Sequence, residues 1–167
     1  MTNEDVPELW LLISLGNRFR SDDGVGPFLL HRLRQSLDGS AEFLESGGDM
    51  VRLLGQWKDR RVCLLDAVLS NGKNVGNLIR ANGLLEPLAP SLCNTSCHGF
   101  NLAEAVELGR TLQSLPRQLE IFAICAEDFI CGHHLSAKVE KAALIAEQQI
   151  IALVQADNGG QQCTNNP

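Results

Sequence analysis

The 167-residue chain has the length of one domain, about 150 residues being ordinary for one, and leaves no room for a second independent core. Hydrophobic residues at 44% and charged residues at 20% are close to a soluble globular average, which excludes a disordered tail protein and a membrane bundle. Fourteen Lys and Arg against 20 Asp and Glu leave a net charge of -6, so there is no uniform basic field to hold nucleic acid or an anionic membrane.

The longest apolar stretch near the start, Leu9–Leu15 (LWLLISL), falls far short of the roughly 20 residues of a spanning helix. The acidic segment before it lacks the basic n-region of a signal peptide, and a cytoplasmic location is expected. Six cysteines stand at positions 63, 93, 97, 125, 131 and 163. Cys63 and Cys125 lie inside apolar runs, where a free cysteine packs as a small hydrophobe, and a chain of this size builds a core without a disulfide framework.

Apolar runs of strand length alternate with segments of helical period, the pattern of a mainly parallel sheet covered by helices on both faces. Leu9–Leu15 is a continuous run stopped by Gly16 and Asn17, as for a buried central strand. Residues 24–37 place Val25, Leu29, Leu33 and Leu37 on one helical face, with Pro27 acceptable in the first turn and Asp22 or Asp23 as the cap. Residues 41–45 are a second strand. Asp49 caps a short helix to about Trp57. Residues 61–68 (RVCLLDAV) form a third strand, apolar on both faces, and residues 75–81 a fourth, interrupted by Gly76.

The stretch 83–97, with Pro87 and Pro90, is the longest loop. Asn101 followed by Glu104 opens a helix to about Leu112 with Leu102, Ala105 and Val106 facing inward. Residues 118–126 form the last strand, and Ser136 starts a long helix with Val139, Ala143, Ile150 and Val154 on one face. These elements predict an α/β three-layer sandwich of about five strands occupying residues 1–155. The segment 156–167, rich in Gly, Gln and Asn without periodicity, is expected to be a disordered tail.

In an open parallel sheet, ligands bind in the crevice outside the carboxyl ends of the strands. Three polar groups fall there: the loop from Gly16 to Gly26 with Asp22 and Asp23, Asp66 closing the third strand, and His98 just before the helix at 101. Each has a plain structural reading. Adjacent acids at a helix start cap amide groups and suit the helix dipole, an Asp closing a strand serves a turn, and a lone His packs. Asp23 stands apart because Gly24 and Gly26 leave room for a ligand or another backbone. Together the three supply two carboxylates and one imidazole from separate crossovers, a set that suits a borderline divalent ion such as zinc or nickel and leaves positions open for another molecule. The glycines match neither a dinucleotide fingerprint nor a phosphate loop.

The motifs GNRFRSDDGVG after the first strand, LLDAV in the third, and SCHGFNLAEAVELGR at a helix start resemble, in that order, the hydrogenase maturation proteases. The similarity spans about Leu11 to Val154. It implies an α/β fold with a mainly parallel central sheet and an endopeptidase that removes the C-terminal extension from the precursor of a nickel-iron hydrogenase large subunit. It further implies that Asp23, Asp66 and His98 contact nickel already loaded in that precursor, with the protein holding no permanent ion or organic cofactor, and that Gly16, Asn17, Gly24 and Gly26 shape the cleft.

No Ser-His-Asp order or HExxH helix supplies a familiar nucleophile or metal-activated water. A carboxylate acting as base on water and nickel polarising the scissile carbonyl both remain open. Two other readings stand beside the protease. One is a non-catalytic module in which the same edge binds a metal-loaded or peptide partner. The other is a protein with a structural zinc on Cys93, Cys97, His98 and His133, although the wide spacing of that set suits zinc poorly. Cys131, His133 and His134 match none of these motifs.

Overall fold

The computed structural model describes residues 9–47, 49–70, 72–85 and 102–160. All five residues of β1 (Trp10–Ser14) are buried, which is why this strand reads as an unbroken apolar run. A 3-10 turn (Ser21–Gly24) leads into α1 (Val25–Ser36), followed by β2 (Ala41–Glu45), α2 (Met50–Trp57) and β3 (Arg61–Leu69). A second 3-10 turn (Gly72–Asn74) precedes β4 (Leu78–Asn82); α3 (Leu102–Thr111), β5 (Gln118–Ala126) and α4 (Ala137–Gly160) complete the described chain.

The strands form one sheet in the order β2-β1-β3-β5-β4. The first four are mutually parallel, and β4 alone runs antiparallel, against β5. Alternation along each strand splits the core in two. Trp10, Leu12, Leu65 and Phe122 pack against α1 and α4 on one face. Ile13, Leu64, Ile121 and the fully buried Trp57 pack with α2 and α3 on the other. The sheet is therefore covered on both sides, as the apolar pattern requires.

The chain leaves β1 toward β2 over the α1 face and returns to β3 over the α2 face. Strand order thus reverses between β1 and β3, and the crevice at their carboxyl ends is the switch point where such sheets bind ligands. Gly26 brings α1 directly onto that edge: a Cβ there would lie 2.4 Å from the Leu15 carbonyl oxygen and 2.8 Å from that of Leu65.

Three features differ from the sequence reading. β4 begins at Leu78 rather than position 75, because Gly76 adopts φ +87° and closes a turn in which the Asn77 amide donates to the Asn74 carbonyl at 2.9 Å. β3, expected over 61–68, runs to Leu69 and is paired throughout with β5, so the strand stands as read but Asp66 lies within it and does not close it. The last helix runs through Gly160, into the segment expected to be a disordered tail. Its final turns are anchored from outside: the Asp157 carboxylate accepts from Trp10 Nε1 at 3.1 Å and pairs with Arg61, whose guanidinium lies 4.6 Å from the Trp10 ring centroid. Asp49 caps α2 as expected, accepting from the Arg52 amide at 3.0 Å. Cys63 and Cys125 are free and buried, and Cys131 is free and exposed. No helix among the described residues is long and apolar enough to cross a membrane.

Candidate active site

β1 ends at Ser14, one step before β3 reaches Asp66, and the ladder closes with the Leu15 amide donating to the Leu65 carbonyl at 2.8 Å. Asp66 is thus the first β3 residue left without a β1 neighbour, facing the loop that follows β1. That loop turns sharply. Gly16 has φ +94°, and a Cβ on it would meet the Asp23 carbonyl oxygen at 2.2 Å, so only glycine lets the chain double back on itself here.

Asn17 organises the turn at three points. Its side-chain oxygen accepts from the Phe19 amide at 2.9 Å, its carbonyl from the Arg20 amide at 3.0 Å, and its own amide donates to Asp23 Oδ2 at 3.2 Å. The Asp23 carboxylate is thereby turned back toward the strand ends, with Arg20 Nη1 at 4.0 Å. Of the two occupants expected at Gly24 and Gly26, a ligand or another backbone, the structure shows the second: the backbone of Arg18 approaches Gly24, and that of Leu15 and Leu65 approaches Gly26.

A second loop, between β5 and α4, clamps the first from the side. The Ser21 amide donates to the Gly132 carbonyl at 3.0 Å and the Gly132 amide to the Phe19 carbonyl at 3.0 Å, while Arg20 Nε donates to the Phe129 carbonyl at 3.1 Å. Ser21 takes φ +48°, a left-handed conformation uncommon outside glycine. Such a conformation persists when its surroundings over-determine it, and this one sits two residues from Asp23.

The two adjacent aspartates have separate tasks. Neither caps α1, whose N-terminal flank at Gly24 has no side-chain cap. Asp22, fully buried, reaches across to the start of α4 and accepts from the Ser136 amide at 2.6 Å and the Ser136 hydroxyl at 3.1 Å. Nothing in local spacing points to that partner, which lies 114 residues away. Asp23 and Asp66 are both buried, at 3% and 6% exposure. Asp66 Oδ1 accepts from the Ala67 amide at 2.8 Å. Its pKa is nonetheless raised to about 8, first by burial and further by the neighbouring Asp23 carboxylate, with the Ala67 hydrogen bond opposing. The two carboxylates face one electrostatic environment, where their repulsion favours a proton or a cation between them.

His98, the third expected contact, lies outside the described residues, as do Cys93 and Cys97 of the zinc reading and the Asn101 cap. Among the described residues no group of three or more metal-ligating side chains converges. His133 and His134 are exposed on the β5–α4 loop, and the His133 ring stands edge-on to Phe19 with centroids 5.4 Å apart. The sequence marks this loop by its aspartates and its GNRFRSDDGVG motif and assigns Asn17 only a part in shaping the cleft; Arg20 and Ser21, which help to aim Asp23, have no role in that reading.

No protein-family model matches the sequence, and no curated protein matches it. Solved structures do. The hydrogenase maturating endopeptidase HybD from Escherichia coli superposes with a TM-score of 0.69 at 20% identity, over 89% of this chain and 93% of that one. A solution structure of an endopeptidase from Escherichia coli gives 0.72 at 21% identity, over 89% and 93%. The [NiFe] hydrogenase maturation protease HybD from Thermococcus kodakarensis gives 0.67 at 21% identity, over 87% and 99%. This chain has, along nearly its whole length, the fold of the hydrogenase maturation proteases.

Proposed function

We propose that the protein is an endopeptidase that cleaves the C-terminal extension from the precursor of a [NiFe] hydrogenase large subunit, recognising the nickel already bound in that precursor. The observation that carries this reading is the pair of buried carboxylates, Asp23 and Asp66, brought together at the switch point of a sheet with the protease fold. Burial beside Asp23 keeps a proton on Asp66 up to about pH 8, and a divalent cation arriving with the substrate takes that proton's place between the two carboxylates. Hard oxygen donors together with the imidazole of His98 suit a borderline ion such as nickel.

In this reading Asp23, Asp66 and His98 are the contacts to the nickel, which belongs to the substrate. Asn17 and Arg20 are positioning residues that hold the Asp23 carboxylate toward the crevice. Cleavage adds water across one peptide bond, and in this reading either a carboxylate beside the ion takes the proton of that water or the nickel polarises the scissile carbonyl.

Intact-mass spectrometry of a nickel-loaded large-subunit precursor, with and without this protein, tests the reading. The expected result is loss of a single C-terminal peptide that requires nickel and is abolished by His98→Ala. An unchanged precursor mass, with binding retained, would instead identify a non-catalytic module.

A further inference from the structure

A cleft of 290 Å³ opens beside the candidate site and runs along one strip of α1. Gly24, adjacent to Asp23, lines its head; Pro27, Phe28, His31 and Arg34 continue it at helical spacing. Ten residues of helical rise from Gly24 to Arg34 give a length of about 15 Å. That accommodates about four or five residues of extended polypeptide.

The chemistry of the walls narrows the occupant. Pro27, Phe28, Leu30 and Leu135 supply apolar contact. Arg18 is neutralised by Glu45, to which its Nε donates at 3.1 Å. Arg34 makes no ion pair among the described residues, and its guanidinium lies over the Phe43 ring at 5.5 Å from the centroid. A guanidinium braced on an aromatic face keeps its hydrogen-bond donors free for a carboxylate. Arg18 and Arg34 against Glu45 leave the lining with one positive charge in excess. This lining runs against a chain whose net charge is -6.

We infer that this cleft binds an extended, acidic segment of the substrate polypeptide, with a carboxylate side chain engaged by Arg34 some four residues from the scissile bond. The inference rests on the proteolytic reading for its substrate, but its chemistry is independent of cleavage. Arg34 is then a specificity-determining residue outside the nickel contacts.

The test is fluorescence anisotropy with a labelled peptide of about eight alternating Leu and Asp residues, compared with its Leu/Asn counterpart at about 0.15 M salt. The acidic peptide is expected to bind about tenfold more tightly, and Arg34→Glu to remove that preference while Arg34→Lys retains part of it. Asp66→Asn should leave the preference intact, and the acidic peptide should inhibit precursor cleavage by the wild-type protein. Equal binding of the two peptides, or an undiminished preference in Arg34→Glu, overturns the inference even if the precursor is cleaved normally. An Arg34-dependent preference with no cleavage of any nickel-loaded precursor supports the cleft and overturns the protease reading instead.

Discussion

Asp22 Oδ1 accepts a 2.6 Å hydrogen bond from the Ser136 amide, joining the loop after β1 to the start of α4 across 114 residues of chain. The carboxylate also accepts from the Ser136 hydroxyl at 3.1 Å, and it sits at the amino end of a 24-residue helix whose dipole favours negative charge. Asp23, one residue on, belongs to the crevice. Asp22→Ala should therefore destabilise the fold by about 2–4 kcal/mol, since buried donors lose a charged partner. Asp23→Asn should leave stability within about 1 kcal/mol of wild type and reduce cleavage by about 100-fold or more. Urea denaturation alongside the mass assay separates the two; equal stability losses would mean the neighbours share one role.

The contrast between these aspartates shows what the sequence carries and what it does not. β1 was legible because burial on both faces leaves a continuous apolar run, and α2 because Asp49 caps the adjacent turn. Both signals are local. The bond from Asp22 to Ser136 is long-range, so local rules assign Asp22 to the helix it precedes. The last turns of α4 misled for the same reason: Gly, Asn and Asp are poor helix formers, and what holds them is Asp157 bound to Arg61 and Trp10 on distant strands. Asp23 could be picked out because its loop follows the β1 run and Asp66 because it interrupts the apolar run of β3, while the turn geometry that aims Asp23 depends on positive φ angles at Gly16 and Ser21.

Asp157→Ala tests the anchoring of α4. The side chain is partly exposed, so its ion pair is screened, but the Trp10 indole also loses its acceptor. A loss of about 1 kcal/mol is expected. Nothing places this residue near the crevice, so the kcat of cleavage should stay at the wild-type level. Hydrogen exchange should quicken in the last turns of α4 alone; uniform quickening across the sheet would refute a local anchor.

Two helical glycines should respond oppositely to the same methyl group. At Gly26 a Cβ meets the Leu15 and Leu65 carbonyl oxygens at 2.4 and 2.8 Å, and backbone at this density cannot yield cheaply. Gly26→Ala should cost about 2–3 kcal/mol. At the exposed Gly55 of α2 a Cβ meets nothing within 4 Å, and Gly55→Ala should stabilise by about 0.5–1 kcal/mol through helix propensity. Thermal denaturation of the two variants reads the sign directly. A neutral Gly26→Ala would mean that α1 can lift off the sheet edge without loss.

Asp66→Asn should separate stability from activity, with a pH dependence fixed in sign. The Asp66 pKa is raised to about 8 from the ordinary 3.8, so the folded protein holds a proton that the unfolded chain releases above about pH 4. The folded state binds more protons over that interval, and stability falls as pH rises through it. The contribution is fully present below about pH 4 and lost as pH passes about 8. Asparagine cannot ionise and keeps an oxygen for the Ala67 amide. The melting temperature of Asp66→Asn should thus match wild type near pH 4 and exceed it at pH 8, by an amount corresponding to about 1–3 kcal/mol. If Asp66 contacts the substrate's nickel as proposed, the neutral amide is a weaker ligand, so cleavage should fall while stability rises. A difference in melting temperature that is constant from pH 4 to pH 8 would show that Asp66 ionises normally in the fold, and that burial at the switch point does not hold its proton.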